Sequence, residues 1–210
     1  MEKTYKTRIG VMGGTFDPIH YGHLMIAENA REQFQLQKIL FLPAGRPPHK
    51  HHITEAVHRC RMVSLAISGN PWFALDQTEV ESDGVSYTYL TMQKLKQRYG
   101  DVELFFILGA DSLFDFESWM KPEAILQNCN ILAAYRDNTG SFFGQLEYLD
   151  QKYPGKFFPL DTPSLEVSSQ DIRMRVQYGR TIRYLVPEEV EAYIRNHKFY
   201  QKAPERKDGT

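Results

Sequence analysis

Two histidines, His20 and His23, are the residues with the clearest potential for chemistry, because they follow an apolar run and the double glycine Gly13-Gly14. The pattern predicts a strand that passes through a glycine turn into a helix beginning near Tyr21. We expect the glycines to let the backbone approach a ligand closely, in dihedral angles closed to other residues. Both imidazoles and free backbone N–H groups would then converge at the positive end of the helix dipole, which is a place to hold phosphate.

The same two histidines also have a purely structural interpretation. A lone histidine at a helix start is more often a cap or a solvated side chain than a ligand. Two histidines three residues apart, behind a double glycine and directly after an apolar strand, are harder to explain by packing, since a turn in the core has no use for them. We therefore treat His20 and His23 as a candidate site.

The stretch from Gly13 to His23 resembles the signature of the nucleotidylyltransferases, whose His-x-Gly-His motif is matched by residues 20–23. Later motifs narrow the resemblance to the bacterial type of nicotinate mononucleotide adenylyltransferase, from Arg8 to about His197. The resemblance implies an α/β fold, a Rossmann-like open parallel sheet with helices on both faces and a small helical C-terminal part. It implies that His20 and His23 are catalytic. The turn before them would bind ATP through Gly13, Gly14, Thr15 and Phe16.

Length and composition favour one substantial α/β domain, since 210 residues with 42% hydrophobic and 13% aromatic residues suit a folded protein. We expect a core over about residues 8–160, a helical part over about 165–200 and a disordered tail over 201–210. A formal net charge of −1 gives no general electrostatic reason to bind nucleic acid or an anionic membrane. Any phosphate binding must therefore be local.

No apolar run approaches the ~20 residues of a membrane span, and the charged N-terminus is not typical of a signal peptide. We therefore expect a cytoplasmic protein. Cys60 and Cys129 are far apart and lack the spacing of a zinc site, so reduced, buried thiols are expected. The sequence does not determine the oligomeric state, and a homo-oligomer is left open as one possibility.

The elements that would position the site begin with a strand–helix–strand pattern over residues 8–43. Such a βαβ unit predicts a parallel sheet with ligands at the carboxyl ends of its strands. Further along, helical periodicity predicts a helix over 53–68 with Val57 facing inward, and an apolar run predicts a strand over 73–80. The most apolar strand is predicted over 102–108.

The loop after the second predicted strand carries the run Pro47-Pro48-His49-Lys50. Charge-rich loops are usually solvated, and the histidines at positions 49, 51 and 52 raise a weak alternative, a metal site. The resembled family has Pro-Pro-His-Lys at this place, and its lysine contacts the phosphates of the nucleotide. The resemblance therefore assigns a catalytic role to Lys50.

Two later segments are candidates for holding a flat ring. Residues 86–88 begin a predicted helix and could form no more than an N-cap, while Trp119 could be core or could stack on a ring. The resembled family has Ser-Tyr-Thr here and uses a tryptophan against the pyridine, so the resemblance assigns Thr88 and Trp119 to the substrate. Gly109 and Asp111 follow the apolar strand and would lie at the ligand face, although Asp111 could instead cap the next helix.

The last candidate segment contains Ser168 and Ser169, either of which can cap a helix that presents N–H groups and Arg173 to an anion. By itself, a capped helix with solvated arginines would be the better interpretation. The segment resembles the Ser-Ser-x-x-Ile-Arg motif of the nucleotidylyltransferases, with Gln170 in place of the usual threonine. The resemblance assigns Arg173 to catalysis and Ser168, Ser169 and Ile172 to ATP binding.

The reaction that the resemblance implies is transfer of AMP from ATP to nicotinate mononucleotide, with release of pyrophosphate. Mg²⁺ would be held by the ATP phosphates, with no metal ligand from the protein. Arg136, at the end of another predicted strand, would add a contact to the nucleotide. Whether the pyridine carries a carboxylate or an amide is left open.

Two alternatives are kept beside this interpretation. One is another member of the superfamily, such as pantetheine-phosphate adenylyltransferase, although those chains are shorter and lack the Pro-Pro-His-Lys and Ser-Tyr-Thr segments. The other is a nucleotide-binding or regulatory protein without turnover, which would not need the whole set of phosphate-binding residues. A Walker-type NTPase and a dinucleotide oxidoreductase are excluded because the chain lacks their glycine motifs.

Overall fold

A parallel sheet forms the centre of the molecule. Over residues 6–46, 53–82, 84–135 and 140–202, which the computed structural model describes, six strands pair in the order β3-β2-β1-β4-β5-β6. Their bounds are β1 Thr7–Gly14, β2 Lys38–Pro43, β3 Phe73–Leu75, β4 Val102–Gly109, β5 Asn130–Tyr135 and β6 Phe157–Asp161. Every neighbouring pair is parallel, which confirms the predicted α/β sheet.

Helices cover both faces of this sheet. The bounds are α1 Tyr21–Gln33, α2 Ala56–Ile67, α3 Thr88–Tyr99, α4 Ala110–Phe114, α5 Pro122–Leu126, α6 Gly140–Lys152, α7 Ser169–Gln177 and α8 Glu188–Asn196, with a 3₁₀ turn at Phe116–Ser118. Buried side chains of α1, α2, α7 and α8 form one hydrophobic cluster with the sheet, and those of α3 to α6 form a second. Alternate strand residues serve the two clusters, since successive side chains of a strand point to opposite faces.

The strand order places a ligand crevice at the middle of the sheet. The chain runs outward from β1 to β3 and then returns to β4, which lies on the other side of β1. Connections before and after that reversal leave in opposite directions, which opens a crevice beyond the carboxyl ends of β1 and β4. The register pairs Met12 with Ile107, so Gly13 and Gly109 both lie at this edge.

Two local predictions were wrong. The third strand ends at Leu75 rather than at residue 80, because the Asp76 carboxylate accepts the Thr78 backbone N–H at 2.9 Å and turns the chain out of the sheet. Val57 does not face inward but is 64% exposed. It lies one helical turn from the exposed Arg61, on the outer face of α2, while Arg59 occupies a buried position instead.

Both cysteines are free, buried thiols, as predicted. Burial raises the pKa of Cys60, and it raises the pKa of Cys129 to about 12. Among the helices of the described residues, none combines the length and apolar character that a membrane span requires.

We expect the thiols of the native protein to resist labelling by a disulfide reagent at pH 8. At that pH a thiol with a pKa of about 12 is ionised only to about one part in 10⁴, and the thiolate is the reactive form. Timed absorbance measurements should detect both thiols at once in guanidinium chloride and neither within minutes in buffer. Labelling of Cys129 at equal rates in both conditions would contradict the burial described here.

Candidate active site

The turn after β1 is shaped by an aromatic residue rather than by its glycines. Gly13 and Gly14 stay in the strand, and the left-handed residue is Phe16, with a φ of 51°. The prediction of unusual glycine dihedrals was therefore wrong. The glycines instead make room for rings, because a Cβ on Gly13 would lie 3.1 Å from Phe106 and one on Gly14 would lie 3.0 Å from Phe16.

The two histidines meet at the start of α1, as predicted. His20 is the N-cap residue in an extended conformation, and His23 lies in the first turn of the helix. The Nδ1 atom of His23 accepts the backbone N–H of His20 at 3.3 Å, and the two ring centroids are 3.8 Å apart. A ring that accepts at Nδ1 carries its proton on Nε2 in the neutral form. His23 can therefore donate a hydrogen bond from Nε2.

Fewer backbone N–H groups are free at the start of α1 than the sequence predicted. The backbone N–H of Tyr21 donates to the carbonyl of Leu185 at 3.0 Å, and that of His23 donates to the carbonyl of His20 at 3.0 Å. The expectation that the first N–H groups of this helix are free is therefore wrong for these two. The side chains of both histidines lie at this same helix start.

The start of α7 packs directly onto this turn. Ser168 is the N-cap residue, and its hydroxyl accepts the N–H of Asp171 at 3.1 Å. The hydroxyl of Ser169 donates to the carbonyl of Pro18 at 2.8 Å, and Nη1 of Arg173 donates to the carbonyl of Asp17 at 2.7 Å. These contacts bring together two predicted phosphate-binding segments that are about 150 positions apart.

Ile172 has a different place from the other residues of its motif. Its side chain is fully buried in the core, and its backbone N–H donates to the Ser168 carbonyl within the helix. Ile172 therefore anchors α7 against the sheet. Thr15 and Phe16 lie in the turn itself, where the buried Phe16 ring contacts the ring of His23 edge-on at 5.0 Å between centroids.

A buried arginine that the sequence analysis missed donates a hydrogen bond to the backbone of the turn. Arg59 of α2 has no exposed surface, and its guanidinium donates to the carbonyls of Thr15 at 2.8 Å, Thr54 at 2.8 Å and Ala44 at 2.7 Å. Burial lowers its pKa, and the nearby Asp17 carboxylate opposes that shift. Its position beside Cys60 on the inner face of α2 was the signal that could have revealed it.

A cleft of about 500 Å³ contains two of the predicted substrate residues. Its lining comprises Ser86, Tyr87, Thr88, Asp115, Ser118, Trp119, Met120 and Ile125. The N-cap residue of α3 is Tyr87, whose side chain makes no capping hydrogen bond, so the simple capping interpretation of the segment does not hold. Trp119 is partly exposed and also packs on Phe116 and Phe106, so it serves the core and the cleft at once.

The cleft lies beside the histidine turn. The Ala44 N–H donates to the Gly14 carbonyl at 2.8 Å, which joins the ends of β2 and β1. Gly45 follows, and a Cβ there would lie 3.1 Å from the hydroxyl of Ser86 in the cleft lining and 2.2 Å from the backbone of Glu79. The segment Ala44-Gly45 thus contacts both the end of β1 and the lining of the cleft.

Two more of the predicted residues, Gly109 and Asp111, lie where β4 passes into α4. Gly109 is the N-cap residue of α4, and Asp111 lies exposed in the first turn of that helix, beyond the carboxyl end of β4. Among the described residues of the cleft lining, the acidic side chain is Asp115 rather than Asp111. Lys50 and Arg136 lie outside the described residues, as do the histidines at 49, 51 and 52 and the tail from 203 onward.

The model of the family described as cytidylyltransferase-like matches residues 11–175. The chain is 43% identical to the "Probable nicotinate-nucleotide adenylyltransferase" of Lachnoclostridium phytofermentans, over 92% of this chain and 98% of that protein. It is 42% identical to the protein of the same name from Moorella thermoacetica, with 92% of each chain covered. The chain belongs to the nicotinate-nucleotide adenylyltransferase family.

A solved structure supports the fold. The nicotinic acid mononucleotide adenylyltransferase of Plasmodium falciparum, complexed with NaAD, superposes with a TM-score of 0.75 at 21% identity, over 92% of this chain and 97% of that chain. Membership in the nicotinate-nucleotide adenylyltransferase family makes this chain a nucleotidyltransferase of NAD biosynthesis that uses ATP, as the resemblance implied. Within the described residues, no group of three or more histidine, cysteine or acidic side chains forms a metal site.

Proposed function

We propose that the site binds ATP at the histidine turn and nicotinate mononucleotide in the adjacent cleft, and transfers AMP between them. The observation that carries this assignment is the contact of α7 with the turn. Ser169 donates a hydrogen bond to the Pro18 carbonyl, and Arg173 donates one to the Asp17 carbonyl. These bonds hold the start of α7 against the turn that leads into α1, where His20 is the N-cap residue. Cationic and N–H donors collected at one point suit a polyphosphate.

The chemistry asked of these residues is positioning and charge stabilisation. A 5′-phosphate oxygen of nicotinate mononucleotide forms a bond to the α-phosphorus of ATP, and the bond from that phosphorus to the bridging oxygen breaks as pyrophosphate leaves. The attacking phosphate is an anion at neutral pH, so the reaction needs no general base. His23 and Arg173 are assigned to the charge that develops on the leaving group, together with His20 and Lys50.

A divalent cation fits this site through the substrate rather than through the protein. The Asp17 carboxylate at the turn already accepts hydrogen bonds from Thr54 and Tyr200, while the neighbouring Arg173 is a cation that suits phosphate oxygens and not a metal ion. We assign the cation as Mg²⁺ on the triphosphate, where it would neutralise charge on the phosphates. His20, His23 and Arg173 then bind and orient the phosphate oxygens that the cation leaves open.

The pyridine ring is assigned to the cleft between the start of α3 and the segment after α4. Trp119 offers an aromatic surface there, and the start of α3 at Thr88 offers backbone N–H groups that the N-cap side chain of Tyr87 does not bond. Uncapped N–H groups favour a carboxylate over a neutral amide, because the positive end of the helix attracts negative charge. We therefore assign the nicotinate form as the preferred substrate.

The test of this function is pyrophosphate release from ATP and Mg²⁺ with three acceptors offered in parallel. We expect turnover with nicotinate mononucleotide that is much faster than with nicotinamide mononucleotide, and none with phosphopantetheine. Equal rates with acid and amide would refute the assignment of a carboxylate site in the cleft. No turnover with any acceptor, while ATP still bound, would favour a protein that binds nucleotides without catalysis.

Replacing Trp119 with alanine should raise the KM for nicotinate mononucleotide by about tenfold, because stacking of a base on an aromatic side chain is worth about 1–3 kcal/mol. The KM for ATP should change little. Steady-state kinetics with each substrate varied in turn measures both values. Trp72→Ala is the matched control, since Trp72 is 48% exposed and pairs with Arg31 outside the cleft. Equal effects of the two substitutions would contradict the assignment.

A further inference from the structure

The segment after α8 reaches back to the histidine turn. The hydroxyl of Tyr200 donates to Oδ1 of Asp17 at 2.5 Å, across 183 positions of the chain. The other carboxylate oxygen of Asp17 accepts the N–H of Thr54 at 3.1 Å, and its backbone carbonyl accepts Nη1 of Arg173 at 2.7 Å. Asp17 is only 3% exposed. It therefore joins the C-terminal segment, the approach to α2 and the phosphate-binding arginine at one buried point.

An unusual backbone delivers Tyr200 to this point. The N–H of Phe199 donates to the Ile194 carbonyl at 3.1 Å, and that of Lys198 donates to the Arg195 carbonyl at 3.2 Å, which is the Schellman pattern of a helix C-terminus. Lys198 has a φ of 55° and Tyr200 a φ of 63°. Left-handed residues other than glycine are unfavourable, and they persist where surrounding contacts hold them. The segment is thus held in place by its contacts.

The hydroxyl of Tyr200 is suited to act as a permanent donor. Burial and the neighbouring Asp17 carboxylate both raise the pKa of Tyr200, so it stays protonated at neutral pH. Its second contact is the Thr54 hydroxyl, which donates to it at 3.4 Å. A protonated phenol facing a carboxylate forms a hydrogen bond to a charged acceptor, which is stronger than one between neutral groups.

We propose that Tyr200 is a positioning residue for adenylyl transfer. The Tyr200 hydroxyl fixes the Asp17 side chain, and the backbone carbonyl of Asp17 orients Arg173 at the turn that leads into His20. The C-terminal segment thereby completes the phosphate-binding site without touching the substrate. This inference rests on the catalytic roles proposed above for His20 and Arg173.

The experiment compares Tyr200→Phe with Tyr193→Phe in the full chain. The first removes the hydroxyl that holds Asp17, and the second removes one that bonds His58 at 2.8 Å in the same C-terminal region. We expect kcat to fall about tenfold in Y200F, with both KM values within about twofold of wild type, because the bond sets geometry rather than affinity. Y193F should keep its kcat within about twofold. Equal losses of kcat in the two variants would overturn the proposal.

A double-mutant cycle with Asp17→Ala, which removes the acceptor of the Tyr200 hydroxyl, tests whether Tyr200 acts through Asp17. We expect the double variant to be no slower than the slower single variant, whereas multiplied losses would mean an independent role. Thermal unfolding is followed for every variant. A kcat within about twofold of wild type in D17A, which lacks any acceptor for the Tyr200 hydroxyl, overturns the proposal even if Y200F is too unstable to assay. Wild-type turnover is measured first, because its absence refutes the proposed function and not the Tyr200 contact.

Discussion

Replacing His23 with alanine is expected to lower kcat by about 10²–10³, with the fold intact. This is the usual cost of removing one donor that stabilises charge in a transition state. His23 accepts the backbone N–H of His20 at Nδ1, so its neutral ring carries the proton on Nε2, the atom assigned to donate to a phosphate oxygen. Pyrophosphate release at saturating substrates measures the effect, and circular dichroism checks the fold.

Two further variants separate the chemistry of His23 from its structural role. Asparagine at this position can still accept the His20 N–H through its side-chain oxygen but cannot reach as far as Nε2, so His23→Asn should remain stable and still be slow. His197→Ala is the control, since His197 is an exposed histidine at the end of α8. A rate near that of wild type in His23→Ala would refute the assigned role.

Replacing Arg59 with methionine is expected to reduce the free energy of unfolding by about 3–5 kcal/mol. The substitution removes the buried guanidinium that donates to the carbonyls of Thr15, Thr54 and Ala44, and each polar group left unsatisfied on burial costs about 1–3 kcal/mol. Because Asp17 also loses a neighbouring positive charge, the loss resembles the breaking of a buried ion pair. Urea unfolding followed by fluorescence measures the difference.

The control for this prediction is Arg61→Met. Arg61 is exposed and lies two positions further along the same helix, so its replacement should change stability by no more than about 0.5 kcal/mol. Similar effects of the two substitutions would mean that the carbonyl contacts of Arg59 contribute nothing measurable. Activity of Arg59→Met should fall with stability, because the carbonyl of Thr15 belongs to the histidine turn.

Features that depend on neighbouring residues were predictable from the sequence. His20 and His23 are three positions apart, so any helix that begins at Tyr21 brings their rings together, and the centroids are 3.8 Å apart. The apolar run over 102–108 likewise predicts the central strand, which ends one residue later at Gly109. In both cases the periodicity of the backbone is sufficient to place the side chains.

The errors arose where a polar side chain competed with a pattern. The sequence pattern that begins at Phe73 continues like a strand to residue 80. The Asp76 carboxylate, however, accepts the backbone N–H of Thr78, and β3 ends before it. In α2 the apolar Val57 is exposed and the charged Arg59 is buried. Helical periodicity predicts that apolar residues are buried. It does not predict the burial of an arginine whose guanidinium is hydrogen-bonded to backbone carbonyls.

The sequence by itself determined the βαβ unit over residues 8–43, the apolar strand over 102–108 and the local spacing of the histidines and serines. Tertiary structure alone decided that Ser169 meets Pro18, that Arg173 meets Asp17 and that Tyr200 returns to the same aspartate. These contacts span more than 150 positions, so they depend on how α7 and α8 pack against the sheet and not on any local propensity. A sequence motif identifies the residues of a site, while the packing of the core sets the distances between them.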